Sequence, residues 1–200
     1  VYGPIVEDSE NSMNVTDRGG LKSFGTIGTL VDNCVFEDNT NFANTGRGQV
    51  SYLFSEVSDI TNCEFINNRA DLGTAIYLLA SADEEQDPTN HIIDSCLFNG
   101  NTGARFGGGF TTLIAGFTLK NSLVQNTVNE GDGALGGFMY VQGDGVPAVI
   151  DSTVFDNNRG ATGSAIVARG DGTTLDITNS EFNNNNGAEF GGAIVFFANG

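Results

Sequence analysis

The chain has 200 residues, 39% of them hydrophobic, with 28 glycines, roughly twice the ordinary share. Aspartate and glutamate number 25 against 8 lysines and arginines, a net charge of −17, and so acidic a surface repels nucleic acid and anionic membranes. No run of 18 apolar residues is available to span a bilayer, and the start of the chain is acidic rather than the basic start of a signal peptide.

Residues 1–29 read as a leading cap or a degenerate coil, with Gly19-Gly20 and Phe24-Gly25 hinting at the latter. This stretch carries an N-glycosylation acceptor, Asn14-Val15-Thr16. From residue 30 onward a phrase recurs: apolar, any, Asn or Ser, small, any, Phe, two residues, Asn. It runs from Val31 to Asn39, Ile60 to Asn68, Ile93 to Asn101, Ile150 to Asn158 and Ile177 to Asn185. A sixth copy, Leu119 to Asn126, reads as one residue short, with Leu123 in place of Phe. A second phrase follows each copy: Gly73-Thr-Ala-Ile-Tyr77, Gly107 to Thr111, Gly136 to Tyr140, Gly163 to Val167 and Gly191 to Val195, with a degraded version near Gly48.

Both phrases alternate apolar and polar residues between Asn and Gly turns, which is the pattern of short strands and not of helices. Repetition every 29 residues or so is the arithmetic of a solenoid. The predicted fold is therefore all-β: a right-handed parallel β-helix of about six coils over residues 30–200, with pectate-lyase-like architecture. Stacking accounts for the columns. Val31, Ile60, Ile93, Leu119, Ile150 and Ile177 point inward, as do Phe36, Phe65, Phe98, Leu123, Phe155 and Phe182. Asn39, Asn68, Asn101, Asn126, Asn158 and Asn185 form an amide ladder at a corner. Cys34, Cys63 and Cys96 share a column with Ser122, Thr153 and Ser180, and read as buried free thiols that fill space. Strand spacing is slightly wide for a disulfide between them, and a metal site wants convergent ligands.

Phe-x-x-Asn followed by Gly-Gly-Ala-Ile resembles the repeat of chlamydial polymorphic outer membrane proteins and of the wider right-handed β-helix proteins that share it. The match covers residues 30–200, departing at Gly73-Thr74, at Gly163-Ser164 and at Leu123. The resemblance implies secretion, an extracellular or cell-surface location, and often adhesion. The broader pectate-lyase-like group implies polysaccharide cleavage as the rival function. Its residues here would be Asp94, Lys120 and Asp151 on adjacent rungs; as structure, the same three form an exposed ladder that avoids stacking like charges. Paired glycosidase carboxylates and nucleotide or hydrolase motifs are not apparent, so the leading expectation is a non-enzymatic module acting as spacer, assembly unit or adhesive surface.

Three Gly-Asp-Gly triplets, centred on Asp132, Asp144 and Asp171, read as turns. Calcium stays open as a ligand because hard oxygen donors are plentiful. His91 reads as a loop residue ahead of Ile92. Tyr77, Thr111, Tyr140, Val167 and Val195, flanked by Leu79, Leu113 and Phe197, form an outward stripe. If bare, that stripe is the surface for a protein or glycan partner, with Tyr77, Tyr140 and Phe197 as its contacts. The absence of a polar cap after Phe197 adds an expectation of further coils or end-to-end self-assembly.

Overall fold

The computed structural model describes residues 21–26, 28–41, 51–55, 57–79 and 91–197. Asn14, the degraded phrase at Gly48 and the acidic loop at Asp83 to Asp87 lie outside the described residues. Every regular element described is a strand, and neighbouring strands pair in parallel. Among the described residues four sheets run along the rod, with seven strands in sheet A and six in each of B, C and D. Successive coils visit the sheets in the order A, B, C, D. One example is Phe110–Leu113, Phe117–Lys120, Leu123–Gln125 and Val128–Asn129. Six rungs in a sheet are separated by five full turns, which is the parallel β-helix expected from the repeat. The rod begins before residue 30: Leu21–Thr26 is the first strand of sheet A and pairs with Ser51–Ser55.

Three corners are set by residues in the left-handed backbone region. Between B and C these are Asn33, Asn62, Ser95, Asn121, Ser152 and Asn179. Between C and D they are Asp38, Asn67, Gly100, Asn126, Asn157 and Asn184. Asn and Asp tolerate this conformation better than other residues with a Cβ. Between D and A only glycine serves: Gly73, Gly107, Gly136, Gly163 and Gly191 all have positive φ. A Cβ on Gly107 would lie 2.1 Å from the Phe110 carbonyl oxygen. The following position is closed as well in two coils, where a Cβ on Gly108 or Gly137 would lie 2.1 or 1.8 Å from a carbonyl oxygen of the next coil. Where the repeat departs from a double glycine, Thr74 and Ser164 donate to the Thr102 and Gly192 carbonyls.

The amide ladder is one residue beyond the C–D corner. The Asn68 side-chain oxygen accepts from the backbone N–H and side-chain amide of Asn39, and Asn101 does the same for Asn68. Asn185 serves Asn158 in this way, and the Asn68, Asn101 and Asn158 amides also donate to core carbonyls. Asn126 is not a member. It occupies the left-handed corner position, and buried Thr127 stands in the ladder, its N–H donating to Asn158.

The copy that starts at Leu119, fourth along the chain, is therefore full length and ends at Thr127. Leu123 pairs with Val154 and is 36% exposed, while Val124 pairs with Phe155 and is fully buried. The inward anchors are Phe36, Phe65, Phe98, Val124, Phe155 and Phe182, stepping by 29, 33, 26, 31 and 27 residues. Phe36, Phe65 and Phe98 stack with centroids 4.9 and 5.0 Å apart, and Phe155 stacks on Phe182 at 4.7 Å. Where Val124 breaks the pile, Phe138 enters from the D–A corner and meets Phe98 and Phe155 edge-on. Other coils place Ala75, Gly109, Ala165 and Ala193 at the position of Phe138, so volume missing on one wall is supplied from the opposite one.

Candidate functional site

An open groove of about 610 Å³ runs along the rod over the B–C corner. Three coils contribute three consecutive residues each, and a fourth contributes Ser152 and Val154. The left-handed residues Asn62, Ser95, Asn121 and Ser152 form one wall. Cys63, Cys96 and Ser122 form the floor, and Glu64, Leu97, Leu123 and Val154 on the outer face of sheet C form the other wall. Leu123 thus belongs to this outer surface instead of the core.

The floor column is more than filler. Each side chain donates to the carbonyl two residues before it: Cys63 to Thr61 at 3.1 Å, Cys96 to Asp94 at 3.3 Å, Ser122 to Lys120 at 2.7 Å, Thr153 to Asp151 at 3.0 Å and Ser180 to Thr178 at 2.7 Å. That carbonyl already accepts an N–H of the preceding coil, as Thr61 does from Asn33 and Asp94 from Asn62, so the thiol or hydroxyl is a second donor to it, a bond that Cys, Ser and Thr can all make. All three cysteines are free; Cys63 and Cys96 are buried and Cys34 half-buried. Burial pushes the Cys34 thiol up, and contact with Cys63 together with burial pushes the Cys96 thiol up.

Just outside the groove runs the column Asp32, Thr61, Asp94, Lys120, Asp151, Thr178. It has a two-coil period. Each Asp accepts from the coil that follows: Asp32 from Thr61 at 2.6 Å and Asn62 at 2.9 Å, and Asp151 from Thr178 at 2.7 Å and Asn179 at 2.8 Å. Asp94 accepts from Asn121 at 2.9 Å and pairs with the Lys120 ammonium at 3.4 Å. The hydroxyl and amide donors hold Asp32 and Asp151 below the usual carboxylate range. Partial burial opposes the same shift at Asp94, but Asn121, Ser95 and Lys120 together still bring it down. The structure thus brings Asp94 and Lys120 together and places Asp151 on the next rung, engaged with the coil beyond.

The outward stripe is not bare. Tyr77, Thr111, Tyr140 and Val167 are each at most 2% exposed. They sit in the angle between sheets D and A, where the Phe106 ring stacks on Tyr140 at 4.7 Å and the Phe106 carbonyl accepts from Thr111. The Tyr140 hydroxyl donates to Gln142. Tyr77 and Tyr140 are therefore covered, and of the three expected contacts only Phe197, 44% exposed, stands open. Leu79 and Leu113 are half-buried at its margin.

His91 is the first residue of the strand His91–Asp94, not a loop residue, and is 3% exposed with no partner for Nδ1. The Gly-Asp-Gly triplets do form turns, and two of them stack: the Asp171 N–H donates to the Asp144 carboxylate at 3.0 Å. No three His, Cys, Asp or Glu side chains gather in a metal-holding group among the described residues. No helix in them is long and apolar enough to cross a membrane. No protein-family model, curated protein or solved structure matches the chain.

Proposed function

We propose that this chain is a non-enzymatic β-helix module of the cell surface or extracellular space, serving as spacer, assembly unit or adhesive surface. One observation carries the proposal: the three aspartates of the column beside the groove are spent on joining coils. Asp32, Asp94 and Asp151 are each held in the charged form by donors from the following coil. Acid catalysis of glycoside cleavage needs the opposite, a carboxyl kept protonated near neutral pH. The pairing of Phe-x-x-Asn with Gly-Gly-Ala-Ile supports the surface setting through its resemblance to the polymorphic outer membrane protein repeat.

The groove favours a second reading, a carbohydrate-active β-helix with the Asp94–Lys120 pair at its lip. The two separate in one experiment. The purified chain is incubated with neutral and uronate-containing polysaccharides, and cleavage is followed by reducing ends and by unsaturated product. A glycan array and an assay of self-association run alongside. The module predicts no turnover, with association to itself or to a surface component. Cleavage that disappears in Lys120→Ala overturns it in favour of the second reading.

A further inference from the structure

The cysteines occupy successive coils of one column, two of them on the floor of the groove. Cys63 and Cys96 are in register on neighbouring rungs, with the Leu97 N–H donating to the Cys63 carbonyl at 2.9 Å. The two sulfurs are turned the same way, Cys63 toward the Thr61 and Val31 carbonyls and Cys96 toward the Asp94 and Ile60 carbonyls one coil on. A metal requires the thiolate, so binding here must displace the thiol protons.

Spacing decides what this pair can hold. In-register rungs are about 4.8 Å apart. A disulfide wants its Cβ atoms about 3.5–4.5 Å apart, closer than the rungs stand. A linear sulfur–metal–sulfur unit with bonds of about 2.3 Å spans about 4.6 Å, close to the rung spacing. Soft thiolates select soft cations, and a closed-shell monovalent ion of the copper or silver type is satisfied by two collinear ligands. The convergent three- or four-ligand cage that zinc demands is not needed.

We propose that Cys63 and Cys96 form a two-coordinate site for a soft monovalent cation, entered from the groove. Binding exchanges two S–H bonds for two sulfur–metal bonds. Both protons leave to solvent, the cation keeps its oxidation state, and no oxidant or reductant takes part. Cys34 is half-buried on the first rung and is not part of the pair.

Serine is the natural test residue, because Ser122 and Ser180 already occupy this column and make the same bond to the bend carbonyl. The folded chain is titrated with silver nitrate in chloride-free buffer, with native mass spectrometry for stoichiometry and pH-stat for proton release. One silver ion and two released protons are expected per folded chain, unchanged in Cys34→Ser. Cys63→Ser and Cys96→Ser are each expected to weaken tight binding by about tenfold or more, while keeping the β-sheet circular dichroism and melting temperature of the parent. Undiminished binding in either of those two variants overturns the proposal. So does loss of binding in Cys34→Ser, or silver uptake that begins only once urea has unfolded the chain.

Discussion

His91 is the only histidine in the chain, and its ring stands in the rod between Ser58 on one rung and Phe117 on the next. Burial pushes its pKa from 6.5 down to about 4. The unfolded chain therefore binds a proton between pH 6.5 and about 4 that the folded chain refuses, and stability falls as pH falls through that window. The full difference amounts to about 3 kcal/mol at about 1.4 kcal/mol per pH unit. The column that holds His91 also holds Leu175, so His91→Leu is tolerated by the site. Urea unfolding from pH 7 to 4 should show the parent losing about 3 kcal/mol relative to His91→Leu. Parallel curves for the two proteins would place the ring in water. The depressed carboxylates Asp32, Asp94 and Asp151 titrate below the ordinary value of 3.8 and act in a separate, more acid window. The signal for His91 was present in the sequence: it lies two residues before inward Ile93, and alternation gives both the same face. The bend column was half legible in the same way. Small size was evident from Cys, Ser and Thr sharing a position, but the second bond they give to the carbonyl two residues back depends on the bend.

At the scale of one coil, the fourth copy shows how the rod absorbs a change. Val124 is too small to continue the phenylalanine pile, and Phe138 fills the gap from the opposite wall. Gly109, one coil earlier, makes room for it: a Cβ there would lie 2.4 Å from two ring carbons of Phe138. The three positions form one packing unit, so their substitutions are coupled. Phe138→Ala alone opens a cavity and should cost about 3–4 kcal/mol. Gly109→Ala alone overpacks the site and should cost about 1–3 kcal/mol. In the Phe138→Ala background the same Gly109→Ala change meets no ring and should become neutral or stabilising. A double-mutant cycle by denaturant unfolding measures the coupling, and simple additivity would mean that the ring does not reach Gly109. This compensation also explains why the sequence misleads here. With the Phe missing, Leu123 looks like its replacement and the copy looks one residue short, which carries Asn126 into a ladder where Thr127 belongs. Nothing local distinguishes an outward Leu from an inward one. Only the register against Val154 and Phe155 does so.

At the scale of the molecule, the coil, the parallel stacking and most inward columns were legible because a solenoid writes each rung into the sequence at a fixed interval. The angles between sheets were not. Alternation says that Tyr77 and Tyr140 face away from the core, but both are buried at the D–A angle, where Phe106 stacks on Tyr140, while the B–C corner stays open as the groove. Outward is not the same as exposed in a rod with concave corners. Charge acts on this shape as a whole. A net charge of −17 on 200 residues repels itself along the rod. Among the described residues the pairings of Arg69 with Glu130 at 3.2 Å and of Lys120 with Asp94 at 3.4 Å are largely exposed, and contribute little. Screening should therefore outweigh the loss of these pairs, and added salt should stabilise the fold. Raising sodium chloride from about 10 to 150 mM shortens the screening length from about 30 to 8 Å. The melting temperature should rise by a few degrees, at roughly 2–4 °C per kcal/mol for a chain of this size. Magnesium and calcium chlorides at equal ionic strength should give equal shifts, since a screening effect does not distinguish the two ions. A fall with sodium chloride would mean that ion pairs, not repulsion, dominate the rod. A rise with micromolar calcium that magnesium does not reproduce would instead reveal a built calcium site, with affinity set by oxygen ligands and not by the overall field.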